Sequence, residues 1–171
     1  MIGNLGFDGR WVFQGCRADG SVKWIEIVEN IVVNEALDYA LEAALEGATN
    51  YGSWYVLLFE SDSTPAATWV YANIGTDFTE FEDYDEATRV LWNSAGVTSQ
   101  TDTNTANPAA FTCSTGISTT IYGAALVNVS TKGDNASGSG IEWCATRFGT
   151  ARPFAAAEVI NIVYTITSQD V

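Results

Sequence analysis

The chain has 171 residues, with 21 acidic and 7 basic side chains and no histidine, for a net charge of −14 at pH 7. Apolar residues make up 47% and charged ones 16%, enough for one domain to bury a core without disulfides or a structural metal. That balance excludes a sequence-independent grip on nucleic acid and repels anionic lipid, and the missing imidazoles exclude Ser-His-Asp and Cys-His catalysis.

Met1 to Arg10 holds three glycines and reads as an arm; it lacks the basic-then-apolar layout of a secretion signal. Arg10 to Cys16 reads as a strand, Arg17-Ala18-Asp19-Gly20 as a turn, and Val22 to Val28 as a second strand. In that second strand Val22, Trp24, Glu26 and Val28 share one face, while Lys23, Ile25 and Ile27 share the other. Residues 10–28 are therefore predicted to form a β-hairpin with bulky apolar residues on both faces.

A helix is predicted over residues 35–46, capped by Asn34 and ended by Gly47. Leu37, Leu41 and Leu45, with Ala40 and Ala44, give it the spacing of one buried stripe. Beyond it the pattern is strand-like. Trp54 to Phe59 is continuously apolar, the mark of a strand covered on both faces. Further strands are expected at Thr68–Ala72, Ala109–Cys113, Thr119–Val129, Ile141–Phe148 and Val159–Thr167. The polar stretches 93–107 and 130–140 read as long projecting loops. The predicted class is mainly β, an antiparallel β-sandwich or jelly roll with an N-terminal hairpin and one short α-helix. Residues 1–33 are assigned to arm and hairpin, and 34–171 to a single sandwich body with the helix at its side.

No run approaches the roughly 20 apolar residues that span a membrane. Cys16, Cys113 and Cys144 lack metal-ligand spacing and are expected as free, mostly buried thiols, in keeping with a reducing cytoplasm. The acidic run Asp77, Glu80, Glu82, Asp83, Asp85 and Glu86 is expected as a solvated or partner-facing loop partly neutralised by Arg89. A Ca²⁺ site at Asp83, Asp85 and Glu86 is a second reading of that run, and an acid/base pair at Glu80 and Glu82 a third. No cofactor is expected. Trp54, Trp69 and Trp143 lie in apolar strand patterns and are assigned to the core, whereas Trp11, Trp24 and Trp92 are less clearly buried. Three of the seven cations, Arg10, Arg17 and Lys23, share the hairpin with Trp11 and Trp24. Because Trp and Arg are enriched in interface hot spots, these five residues are the candidate interface.

The segments Gly9-Arg10-Trp11, Asp19-Gly20-Ser21-Val22-Lys23-Trp24, Val33-Asn34-Glu35-Ala36-Leu37 and Ser53-Trp54-Tyr55-Val56-Leu57-Leu58 occur in that order. After them come Phe78 to Arg89, Asn107-Pro108-Ala109-Ala110-Phe111, Ile121-Tyr122-Gly123-Ala124, Ser130-Thr131-Lys132-Gly133 and Asn161-Ile162-Val163-Tyr164-Thr165. Together they resemble small virion structural proteins of tailed bacteriophages, in particular capsid decoration or cement proteins. The resemblance implies a chain without catalytic residues that folds in the host cytoplasm and sits on the outer capsid surface. Its implied partners are the major capsid protein and neighbouring copies of itself, with no nucleic acid and no membrane. A tail or fibre component that binds a host-surface glycan is the alternative. The stretch Pro153 to Glu158 departs from the family pattern, which has a glycine turn before the last strand.

Overall fold

The computed structural model describes residues 5–47 and 49–170. Among them are the strands β1 (Leu5–Cys16), β2 (Val22–Glu29), β3 (Ile31–Val32), β4 (Tyr55–Phe59), β5 (Glu80–Phe81) and β6 (Val90–Leu91). They continue with β7 (Thr101–Thr103), β8 (Ala109–Thr112), β9 (Ser118–Val127), β10 (Glu142–Ala155) and β11 (Val159–Asp170). One helix, α1 (Asn34–Leu41), runs on into a π-helical turn over Glu42–Glu46. The protein is mainly β, with two antiparallel sheets in a β-sandwich.

Sheet 1 has the order β2-β1-β11, with β7 and β8 sharing the far edge of β11. The predicted hairpin is present: β1 and β2 pair from Cys16↔Val22 to Arg10↔Glu29. It does not stand apart, because β1 also pairs with β11 along its whole length. Trp11 and Phe13 on its inner face are fully buried, so hairpin and body share one core. Sheet 2 has the order β3-β10-β9-β4, with β5 and β6 both on the outer edge of β4.

Between the sheets, Trp11, Phe13, Ile160, Ile162 and Tyr164 meet Val56, Leu58, Ala124, Leu126 and Cys144. The alternate residues Leu57, Phe59, Ala125, Val127 and Ala145 face away from that core into a second one. There Val33, Ala36, Trp69, Tyr71, Ile74 and Phe78 cover them. The continuous apolar run of β4 thus reflects burial on both faces, in a three-layer arrangement. Gly123 belongs to this tight layer, since a Cβ there would lie 2.2 Å from the Thr146 carbonyl oxygen.

Several local expectations are corrected. Thr68–Ala72 is not a strand; it contains a turn and a 3₁₀ turn at Tyr71–Asn73. The Tyr71 N–H donates to Glu35 Oε2 (2.9 Å), so this apolar run lies on sheet 2 as a cover rather than joining a ladder. Asn34 does not cap the helix through its side chain; its backbone N–H donates to the Ala67 carbonyl (2.8 Å). The leucine stripe is not buried. Ala36 and Tyr39 face the core, while Leu41 is 55% and Leu45 78% exposed. Gly47 ends the helix as predicted, with φ 71°. Before the last strand, Ala157 takes the left-handed position itself, with φ 61°. Glu158 braces that turn by accepting from the Ala155 N–H (3.0 Å) and from Lys23 Nζ (2.8 Å).

Candidate interaction surfaces

Side chains alternate across a strand, so burying Trp11, Val28 and Tyr164 inside forces their sequence neighbours onto the outer face of sheet 1. The register aligns Ile27, Val12 and Val163 in one row across three strands. The next row holds Ile25, Gln14 and Asn161, and a third holds Glu29, Arg10 and Thr165. Ile25 is 58% and Ile27 53% exposed, while Val12 and Val163 are half-buried. The result is an aliphatic patch that runs inward from the edge strand β2, beside the opposite-charge positions Glu29 and Arg10.

The five predicted interface residues do not form one surface. Arg10 is exposed and adjoins the aliphatic patch. Trp11 is a correction: it is 0% exposed, stacked on Phe13 and Tyr164 in the core. Alternation reveals that Trp11 and Phe13 share a face but not that this face turns inward. Arg17 sits in the hairpin turn, donating to the Val22 carbonyl (3.1 Å). Lys23 is held by Glu158 and by the Pro153 carbonyl (3.2 Å). Trp24 is half-buried on the inner side, edge-on to Phe148 with the Arg152 guanidinium 4.9 Å from its ring. Glu26 accepts from that same Arg152 (2.6 Å). The large exposed apolar side chains on the outer face of this hairpin are instead Ile25 and Ile27, already separated from Trp24 by the period of two.

A cavity of about 240 Å³ lies between the sheets. Its aromatic wall is Phe7, Trp54, Trp92 and Trp143, and Trp143 packs edge-on against both Phe7 and Trp54 with centroids 5.4 Å apart. Gln100, Asp102 and Ser168 supply its polar lining. Trp69 is buried, and Trp54 and Trp143 pack against the core as expected while keeping some exposure; Trp92, whose burial the sequence left open, is buried.

The acidic run is not uniformly solvated. Glu80 is buried, and both its oxygens are held by Arg89 at 2.9 and 2.6 Å. That pairing leaves Glu80 committed to a structural role and separated from exposed Glu82. Asp83 is exposed, Asp85 accepts from Ser114 Oγ (2.8 Å), and Glu86 accepts from the Thr112 N–H (3.1 Å). Among the described residues no three carboxylates or thiols are arranged to hold a metal ion. Cys113 and Cys144 are buried and unbridged, and burial pushes the Cys113 thiol up to about 11. No helix among the described residues is long and apolar enough to cross a membrane. No protein-family model matches this chain, and no curated protein is significantly similar to it.

Proposed function

We propose that this chain is a structural binding module that attaches to a larger assembly through the outer face of sheet 1. The observation that carries the reading is the exposed pair Ile25 and Ile27, continued inward by Val12 and Val163 and bordered by Arg10. Burying such a patch is favourable by roughly 25 cal/mol per Å² of apolar surface, before the cost of association. The finer reading, a decoration or cement protein on the outside of a tailed-phage capsid, is supported by the segment resemblance. The charge of −14 suits a surface away from packaged DNA. In this reading the partners are the major capsid protein and neighbouring copies of the chain, and no catalysis is involved.

Removing residues 1–28 would strip β1 from the core, so point changes are the cleaner test. The double variant Ile25→Ser/Ile27→Ser is expected to melt close to the parent protein and yet be lost from purified particles. Quantitative mass spectrometry is expected to give the parent chain a copy number of the same order as the major capsid protein. Full retention of the double variant would remove this face from the mechanism, and a copy number far below the capsid protein would end the cement reading.

The aromatic cavity favours a second reading, a tail or fibre component binding a glycan, because aromatic walls with a few polar groups suit sugar stacking. A glycan array then gives saturable signals that Trp54→Ala removes. The first reading expects no sugar dependence in either protein.

A further inference from the structure

The helix lies on the far side of the sandwich from the outer face of sheet 1, because sheet 2 separates them. Ala36 and Tyr39 anchor it, which turns Leu37, Leu41 and Leu45 outward as a row spaced four residues apart. A second row, Asp38, Glu42 and Glu46, lies beside the first, because Asp38 and Glu42 each stand three residues before a leucine, Leu41 and Leu45. A groove of about 480 Å³ borders the helix, walled by Glu35, Asp38 and Glu42, with Tyr39, Val70 and Ile141 among its apolar lining. Residues 34–46 contain four carboxylates and no cation. Glu46 also stands at the C-terminal end of the helix, where the dipole favours positive charge.

We infer that this face docks a lysine- or arginine-bearing, leucine-rich segment of a partner protein. Aliphatic side chains would cover the leucine row while the cations meet the acidic row and groove. A second copy does not fit, for two reasons. Its helix would set like charges against like charges. The chain's own cations are also engaged elsewhere: Lys23, Arg89, Arg147 and Arg152 are paired with Glu158, Glu80, Asp62 and Glu26. Lys132 lies 3.5 Å from the Tyr84 ring centroid, Arg17 binds the Val22 carbonyl, and Arg10 is on the opposite outer face. Nucleic acid and anionic lipid are repelled by the same acidic row. With two docking faces on opposite sides of the sandwich, the chain can bridge two partners. The inference stands whether or not the assembly is a capsid.

The test uses the full chain and a short synthetic amphipathic helix of leucine and lysine, with a leucine and glutamate peptide of the same pattern as control. Fluorescence anisotropy is expected to show binding of the lysine peptide alone, weakened by added salt. Asp38→Asn/Glu42→Gln and, separately, Leu41→Ser/Leu45→Ser are each expected to weaken it about tenfold, the loss that truncation of interface hot spots brings. All four positions are outside the core, so folding is retained. The control Glu82→Gln/Asp83→Asn removes the same charge from another exposed site and is expected to change affinity little. If that control weakens binding as much as the helix variants, the attraction is only the diffuse charge of the chain and the inference fails. It also fails if the helix variants bind unchanged, or if the parent does not bind the lysine peptide. None of these outcomes bears on attachment through Ile25 and Ile27.

Discussion

Replacing Arg89 with methionine is expected to lower folding stability by about 3–5 kcal/mol, the usual loss when one partner of a buried ion pair is removed. Arg89 is fully enclosed, and all five of its N–H groups find acceptors. Two go to Glu80, one to the Tyr71 hydroxyl (3.1 Å), one to the Val129 carbonyl (3.2 Å) and one to the Asp134 carbonyl (2.8 Å). The side chain therefore ties β5, the turn at Tyr71 and the loop after β9 to one point. Removing it strands the Glu80 carboxylate in the interior and leaves those acceptors unmet. Urea titrations of R89M, of Glu80→Leu and of the double variant measure the pair. The double variant is expected to recover much of the loss, because apolar replacement of both partners removes the stranded charge. A loss below about 1 kcal/mol in R89M, typical of an exposed pair, would contradict this account.

Glu142 gives the second large effect, with the opposite response to removal of charge. It lies opposite Val127 in sheet 2, fully buried, and neither carboxylate oxygen has a hydrogen-bond partner among the described residues. Burial first, then the nearby Glu35 and Asp77 carboxylates, push its pKa up from 4.5 to about 8. A group raised in this way is protonated in both states at low pH, where its contribution to stability is fully present. As pH climbs past 4.5 the unfolded chain ionises Glu142 while the folded protein keeps the proton until about 8. Stability is lost across that window at roughly 1.4 kcal/mol per pH unit, or about 3 kcal/mol by pH 7. Glu142→Gln keeps the shape and removes the ionisation. Its advantage over the parent protein is expected to grow between pH 5 and pH 8 in urea titrations. Parallel pH curves for the two proteins would show that Glu142 does not titrate in this window.

Both effects sit where reading the chain alone is weakest. Glu142 alternates with Ile141, Trp143 and Ala145, which reads as a polar outer face on a half-buried strand. The structure covers both faces of β10, so that alternation loses its meaning there. The pairing of Arg89 with Glu80 was half legible, as charge balance within an acidic run. Its burial depends on loops at residues 129 and 134, far along the chain. The split of the predicted hairpin interface has a similar origin. Trp11 and Trp24 look like surface anchors beside cations, yet Phe13, Phe148 and Tyr164 take them inside or nearly so.

The β-rich class, the hairpin with its Asp-Gly turn, the two-sided apolar strand β4, the run of the helix and the strongly acidic character of the chain were all determined by local pattern. Period, turn chemistry and composition are properties of neighbouring residues, so they survive without knowledge of the fold. Which face of each element turns inward was decided only by tertiary structure. The leucine stripe of the helix shows why. Its spacing announces a face that burial would favour, but Ala36 and Tyr39 fit the space against sheet 2 and the leucines are left outside. The hairpin resolves the same way, with Trp11 and Phe13 taken into the core and Ile25 and Ile27 left exposed on the outer face. Burial is set by which distant side chains fill a given volume at close packing, and a one-dimensional pattern carries no information on that volume.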